Sequence, residues 1–217
     1  MQRRLEHKLN AAVARNGIML LEHACTVIDA GMEAVRECLR NNRRLQLVTA
    51  ANGEALVAGR SRGRPSGVAI ARAVATQHFC HRDPARPRLL SHRNIETYFP
   101  TLFRKGLPAG YYVCQAESQP VLGLLRVDTH AKPVARILSK SDSISQRHFR
   151  QSEFRQLHRS GQFELTWLVP TEAKKRALEI AMTSFNVQSF AMRAFVVPEL
   201  MELLAPLQTL HSPTSRV

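Results

Sequence analysis

The sequence predicts a two-part protein of the α+β and α/β classes, with a small helical unit closed by a β-hairpin ahead of a larger mixed-sheet domain. Three observations predict it. Short stretches of apolar periodicity, separated by tight turns, run through residues 2–42. Two alternating apolar runs, LQLVTA and EALVAG, flank Ala51-Asn52-Gly53. Beyond residue 108, strand-like and helix-like runs alternate, the pattern of an α/β domain.

Leu5, Leu9, Ala12 and Val13 recur at helical spacing in residues 2–15, and Asn16-Gly17 tolerates the positive φ that ends a helix. Residues 18–29 read as a second, more apolar helix, and Ala30-Gly31 as a turn. Residues 32–42 read as a third helix, with Met32, Val35 and Leu39 inward and Glu33, Arg36, Glu37 and Arg40 outward. The hairpin spans 45–59. Three helices and then a hairpin is the order of a winged helix-turn-helix. An Ala-rich helix covers 67–79, and the Pro-rich CHRDPARPRLLSHRN marks a boundary. This gives a first domain at 1–82, a second at 83–207 and a flexible tail at 208–217.

In the second domain, a helix at 91–105 is broken by Pro100, and 109–116 and 121–128 are apolar enough for buried strands. Residues 136–159 are helical with a break near Ser152. Arg147, His148, Arg155, His158 and Arg159 fall on one side of the wheel, and Phe149, Phe154 and Leu157 on the other. Strands at 163–169 and 187–197 alternate with a helix at 171–184 capped by Thr171 and a last helix at 199–207 opened by Pro198. Leu200, Leu203 and Leu204 on that last helix serve either as core or as the seam of a homodimer.

Charge narrows the function classes. The chain has 217 residues, with 31 Lys+Arg against 17 Asp+Glu and a net charge of +14, so the expected partner is a polyanion. Arg far outnumbers Lys, which suits bidentate contacts with phosphates and bases. The candidate contacts to double-stranded DNA are Arg36, Arg40, Arg43 and Arg44 on and after the third helix, Arg60, Arg62 and Arg64 in the arm after the hairpin, and Arg147, Arg150, Arg155 and Arg159 in the second domain. The plain alternative is a set of solvated faces with local ion pairs. Arg62-Gly63-Arg64-Pro65 is similar to the core of an AT-hook, in which Gly removes bulk at the minor-groove floor and the flanking arginines meet its negative potential. The alternative for this arm is a flexible basic linker.

Four scattered cysteines without a CxxC pair predict reduced thiols in a cytoplasmic protein, and MQRRLEHKLN lacks the apolar core of a signal peptide. His78, Cys80, His81 and His92 fit no tetrahedral ligand spacing, so no metal is expected there. No apolar run approaches membrane-spanning length. With 1 Trp, 3 Tyr and 9 Phe and no aromatic pair at strand spacing, an RNA-binding platform is a weaker alternative.

The residues also offer a catalytic alternative. Asp128 ends an apolar strand, Glu164 lies on the next, and Lys140 lies on the helix between. Two carboxylates holding Mg²⁺ beside a lysine that orients water would make a metal-dependent nuclease. Arg126, two residues before Asp128, opposes a metal if it faces the same way. The expectation is therefore a non-enzymatic protein that needs no cofactor, with Mg²⁺ implied only by the nuclease alternative.

The layout resembles the replication-relaxation family of plasmids and integrative elements. The resemblance runs through the hairpin at 45–59, Leu90-Ser91-His92-Arg93, Leu124-Leu125-Arg126-Val127-Asp128-Thr129 and Leu168-Val169-Pro170-Thr171, and covers residues 18–185. It implies a winged helix ahead of a degenerate restriction-endonuclease-like domain. It also implies a role in mobilisation, replication or transcriptional control of a conjugative element, alongside other proteins of such a complex. Where the family often has Glu-x-Asp, this chain has Arg126-Val127-Asp128, which speaks against catalysis and leaves DNA binding untouched.

Overall fold

The computed structural model describes residues 2–60, 63–83, 87–98, 100, 110–115, 119–130, 132–184 and 191–209. The chain is mixed α and β. It divides into two compact units, Met1–Gln77 with Glu199–Val217, and His78–Pro198.

In the first unit, α1 (Gln2–Asn16) precedes a two-residue strand β1 (Met19–Leu20), then α2 (Leu21–Ile28), α3 (Met32–Arg40), β2 (Leu45–Thr49), β3 (Ala55–Gly59) and α4 (Gly67–Arg82), within which the division falls. α1 stops where expected, with Gly17 at φ +79° and its N–H on the Val13 carbonyl. The second helix starts later than its periodicity suggests. Met19 and Leu20 leave it to pair with Val57 and Leu56 of β3, giving an antiparallel sheet in the order β1-β3-β2. Gln77 makes so short a strand possible. Its amide accepts from the Leu20 N–H at 2.7 Å and donates to the Ile18 carbonyl at 3.2 Å, doing for the outer edge of β1 what a further strand would do. Leu9, Val13, Met19, Leu21, Ala24, Val35, Leu39 and Val57 form the core beneath. Met32, expected inside, is exposed, and Cys38 is buried instead.

In the second unit, β4 (Arg88–Leu89), α5 (His92–Tyr98), β5 (Tyr111–Gln115) and β6 (Pro120–Val127) lead to α6 (Val134–Phe149), α7 (Ser152–Arg159), β7 (Phe163–Val169), α8 (Glu172–Ser184) and β8 (Ala191–Val196). The sheet order is β4-β5-β6-β7-β8, antiparallel through β6 and parallel from β6 to β8. Parallel neighbours need crossovers, which α6–α7 and α8 supply. One face of this sheet is apolar. Tyr111, Leu122, Leu124, Phe163, Leu165, Trp167 and Ala194 pack there with Ile137, Leu138, Phe154 and Leu178 of the crossover helices. The buried indole N–H of Trp167 donates to the Ser141 hydroxyl at 2.9 Å, so it is not left unsatisfied in that core. β7 spans the expected residues, and α8 begins after Thr171, whose hydroxyl accepts the Lys174 N–H.

The division by contacts falls after Gln77, where the sequence places a boundary after 82, and it groups the last helix, α9 (Glu199–Thr209), with the first unit. Leu200, Leu203 and Leu204 are buried within the single chain, the core alternative of the two. The tail at 208–217 begins inside α9, and residues 210–217 lie outside those described. No helix among the described residues is long and apolar enough to cross a membrane.

Candidate nucleic-acid interface

α3 is set by its ends. Gly31 enters it in extended conformation, Glu33 sits in the first turn and Arg40 in the last, both signs suited to the helix dipole. The buried Asn42 then directs the chain into the hairpin. Its carbonyl oxygen accepts the N–H groups of Arg44 at 2.8 Å and Leu45 at 3.0 Å, which turns the backbone from α3 directly into β2. Sequence reading extended the third helix to residue 42 and missed this turn. The signal was present, because Asn directly before a strand commonly accepts from the backbone two residues on.

The hairpin pairs Leu45 with Gly59 through Thr49 with Ala55. Beyond that register the Ala50 N–H bonds the Glu54 carbonyl, and Gly53 takes φ +83°. The loop is therefore the three-residue kind that ends in a left-handed glycine. Asn52 contributes its side chain, which donates to the Glu54 carboxylate at 2.7 Å.

α3 and the hairpin enclose a groove of ≈ 390 Å³ lined by Arg36, Leu39, Arg40, Gln46, Leu47 and Arg60. Three guanidinium-bearing residues meet there, and no carboxylate lines it among the described residues. The Nε of Arg36 is enclosed by protein and has no hydrogen-bond partner. Its terminal nitrogen has only the Met32 sulfur, 3.9 Å away. Arg40 pairs with Glu37, but the two side chains are 67% and 53% exposed, so this is a weakly held surface pair. Leu47 is 44% exposed and supplies an apolar wall.

The other predicted contacts scatter. Arg43 and Arg44 are exposed on the link to β2 and do not line the groove. Arg64 is exposed, and Arg62 lies outside the described residues. Gly63 has φ +69° and donates its N–H to the Arg60 carbonyl. In the second unit Arg147, Arg150, Arg155 and Arg159 are exposed at the end of α6 and along α7. His148 does not join them. It donates from Nδ1 to the Ile144 carbonyl at 2.7 Å, which leaves Nε2 to accept from the Tyr111 hydroxyl at 2.7 Å. Burial holds its pKa below the usual histidine value.

The residues of the nuclease alternative are not brought together. Asp128 is 0% exposed just beyond β6, with its carboxylate on the Lys132 N–H at 3.0 Å and 3.0 Å from the Lys174 ammonium of α8. Glu164 is in register with Gly123, five residues before Asp128 on the same strand path. At about 3.3 Å per residue the two positions lie roughly 17 Å apart along the sheet, far beyond the reach of one cation or an adjacent pair. Lys140 is exposed, off the buried stripe of Ile137, Leu138 and Ser141.

Glu164 belongs to a different cluster, on the sheet face opposite the apolar core. The Tyr112 hydroxyl bonds the Glu164 carboxylate and, at 2.6 Å, the Thr166 hydroxyl. Arg193 lies 3.3 Å from Glu164 and 2.8 Å from the buried Asp83, donates to Thr166 at 3.1 Å and stacks 5.3 Å from the Phe79 ring centre. Burial, reinforced by the Glu164 charge, raises the Tyr112 pKa far above that of a free phenol, so it stays a hydrogen-bond donor. The ring lies flat over Gly123, where an added Cβ would come 1.9 Å from its Cζ.

All four cysteines are free thiols, and burial pushes Cys80 up to about 12, which leaves it unreactive as a nucleophile. Among the described residues no three His, Cys, Asp or Glu side chains converge as a metal site would require. No known protein family, curated protein or solved structure matches this chain.

Proposed function

We propose that the protein binds duplex DNA through its first unit, which we read as a winged helix, and that it does no chemistry on its partner. The observation that carries this reading is the groove between α3 and the hairpin, where Arg36, Arg40 and Arg60 meet without a carboxylate among the described lining residues. The strand order β1-β3-β2 behind three helices is what a winged helix requires.

The geometry of B-DNA gives the groove its role. A major groove about 12 Å wide admits a helix. With α3 in that groove and the hairpin at the next minor groove, one sugar-phosphate backbone must pass between them. The arginine-lined groove then seats that backbone. The second unit is a non-catalytic, nuclease-like scaffold whose exposed Arg147, Arg150, Arg155 and Arg159 add phosphate contacts. The protein serves a mobile element, in mobilisation, replication or transcriptional control.

Fluorescence-anisotropy titration of the full chain with labelled duplex, repeated across salt concentrations, tests the reading. Affinity should fall steeply with salt, and Arg36→Ala, Arg40→Ala and Arg60→Ala should each flatten the slope of log K against log salt by about one. Salt-independent binding, or preference for single-stranded RNA in competition, would overturn it.

A further inference from the structure

The sheet of the second unit ends differently on its two sides. One edge strand, β4, is two residues long, follows Pro87 and carries the exposed Arg88. Shortness, proline and an exposed charge keep a strand from recruiting another. The opposite edge strand, β8, has six residues, AMRAFV, with no proline, lysine or glycine among them. Its one charged residue, Arg193, is turned to Asp83 and Glu164 of its own unit.

The hydrogen bonds of β8 fix which backbone groups face outward. The Val197 N–H donates to the Val169 carbonyl of β7 at 2.9 Å. Successive residues of a strand turn their N–H and C=O groups to opposite sides. Val197, Phe195 and Arg193 therefore face β7, and Val196, Ala194 and Met192 face away from it. No strand lies on that outer side, and none of these three residues has a backbone partner there among the described residues.

We propose that β8 is a dimer interface, at which a second copy of this chain adds its own β8 antiparallel, centred on Ala194. The pattern is self-complementary. With Ala194 opposite Ala194 of the second copy, Met192 meets Val196 and Val196 meets Met192. Every outward N–H and C=O of those three residues then finds a partner on both copies. Arg193 falls opposite Phe195 of the second copy, so no like charges are opposed. The junction also closes. Both β8 strands are used in joining the sheets, and the joined sheet ends on each side in the guarded β4, so growth stops at two copies. The interface does not depend on whether the first unit binds DNA.

Sedimentation velocity on the full chain tests this, without DNA and at moderate salt so that two chains of net charge +14 are screened from each other. A concentration-dependent species of twice 24.4 kDa should appear, and nothing larger. Ala194→Pro removes one outward N–H at the centre of the junction, while the bonds to β7 come from its neighbours, so an edge strand tolerates it. It should weaken dimerisation about tenfold or more, because the two-fold symmetry doubles the lost bond. Circular dichroism should show the variant folded. Ala194→Cys tests the register directly. Opposite residues of a hydrogen-bonded antiparallel pair have Cα atoms about 5.5 Å apart, within the span of a disulfide. Mild oxidation should give a reducible dimer that wild type, with its own four free cysteines, does not form. A wild type that stays monomeric at every concentration overturns the interface and leaves this edge to a strand of another protein. Open-ended assemblies overturn it as well, as does a folded Ala194→Pro that dimerises like wild type. If Ala194→Pro fails to fold, the Ala194→Cys cross-link decides alone, and its absence overturns the interface.

Discussion

Arginine is used in two opposite ways in this molecule. Arg193, on the sheet of the second unit, has two carboxylates, a hydroxyl and an aromatic face around it. Arg36, on α3 of the first unit, has a methionine sulfur and an enclosed nitrogen with nothing to bond. The residue type and the charge are the same. The partners differ: Arg193 is tied to side chains of its own unit, and Arg36 lines the groove. In a chain of net charge +14, counting arginines finds a partner class, and only the surroundings of each one find a site.

Substitutions can break the comparison from either end. The largest effect is expected from Gly123→Ala, because its Cβ would lie inside the Tyr112 ring and tilt the hydroxyl off Glu164 and Thr166. Overpacking against a rigid ring should lower stability by about 3 kcal/mol, read by chemical denaturation. Arg193→Met comes next. It removes the ion pair with the buried Asp83, and because Arg193 is itself 35% exposed the loss should be about 2 kcal/mol, short of the full penalty for a wholly buried pair. Neither substitution should alter the salt slope of DNA binding at temperatures where the variant remains folded.

Arg36→Ala should do the reverse. Duplex affinity should drop by about tenfold, as for a charge-assisted contact, with the melting temperature unchanged within error. A stability loss as large as that of Arg193→Met would erase the distinction. The smallest effect concerns His148. Its folded pKa lies below the unfolded value near 6.5, so the unfolded state binds its proton first. The stability it contributes is complete above about pH 6.5 and is lost as pH falls below that towards the folded pKa. A melting-temperature series from pH 7 to 5 should therefore slope downward, less steeply in His148→Gln. An unchanged slope would show that the bond to Tyr111 holds no neutral imidazole.

What the sequence disclosed was local. The hairpin is written in alternation and an Asn-Gly pair, β7 in an unbroken apolar run, and the cap of α8 in Thr171. What it hid was non-local. β1 is too short to carry a pattern, and it exists because β3 and Gln77, 57 residues from Leu20, satisfy its two edges. Asp128 reads as a metal ligand until Lys174 is placed against it by a helix that begins 44 residues downstream. Of the candidate site, Arg36, Arg40 and Arg60 were legible as basic residues on the right elements. Their convergence was not, because it depends on the Asn42 turn that sets the direction in which β2 leaves α3. Gln46 carries no charge and so gave charge patterning no signal.

The grouping of α9 with the first unit has a consequence for how the protein is made. The ribosome synthesises Glu199–Thr209 after the whole of His78–Pro198. Domains fold as units while the chain emerges, so the second unit has its full sequence available first, and the unit that carries the arginine groove is finished last. A nascent chain therefore carries the arginine groove before the last helix grouped with that unit has been made. A stop codon before Glu199 would remove α9 from the first unit while leaving every residue of the groove in the product.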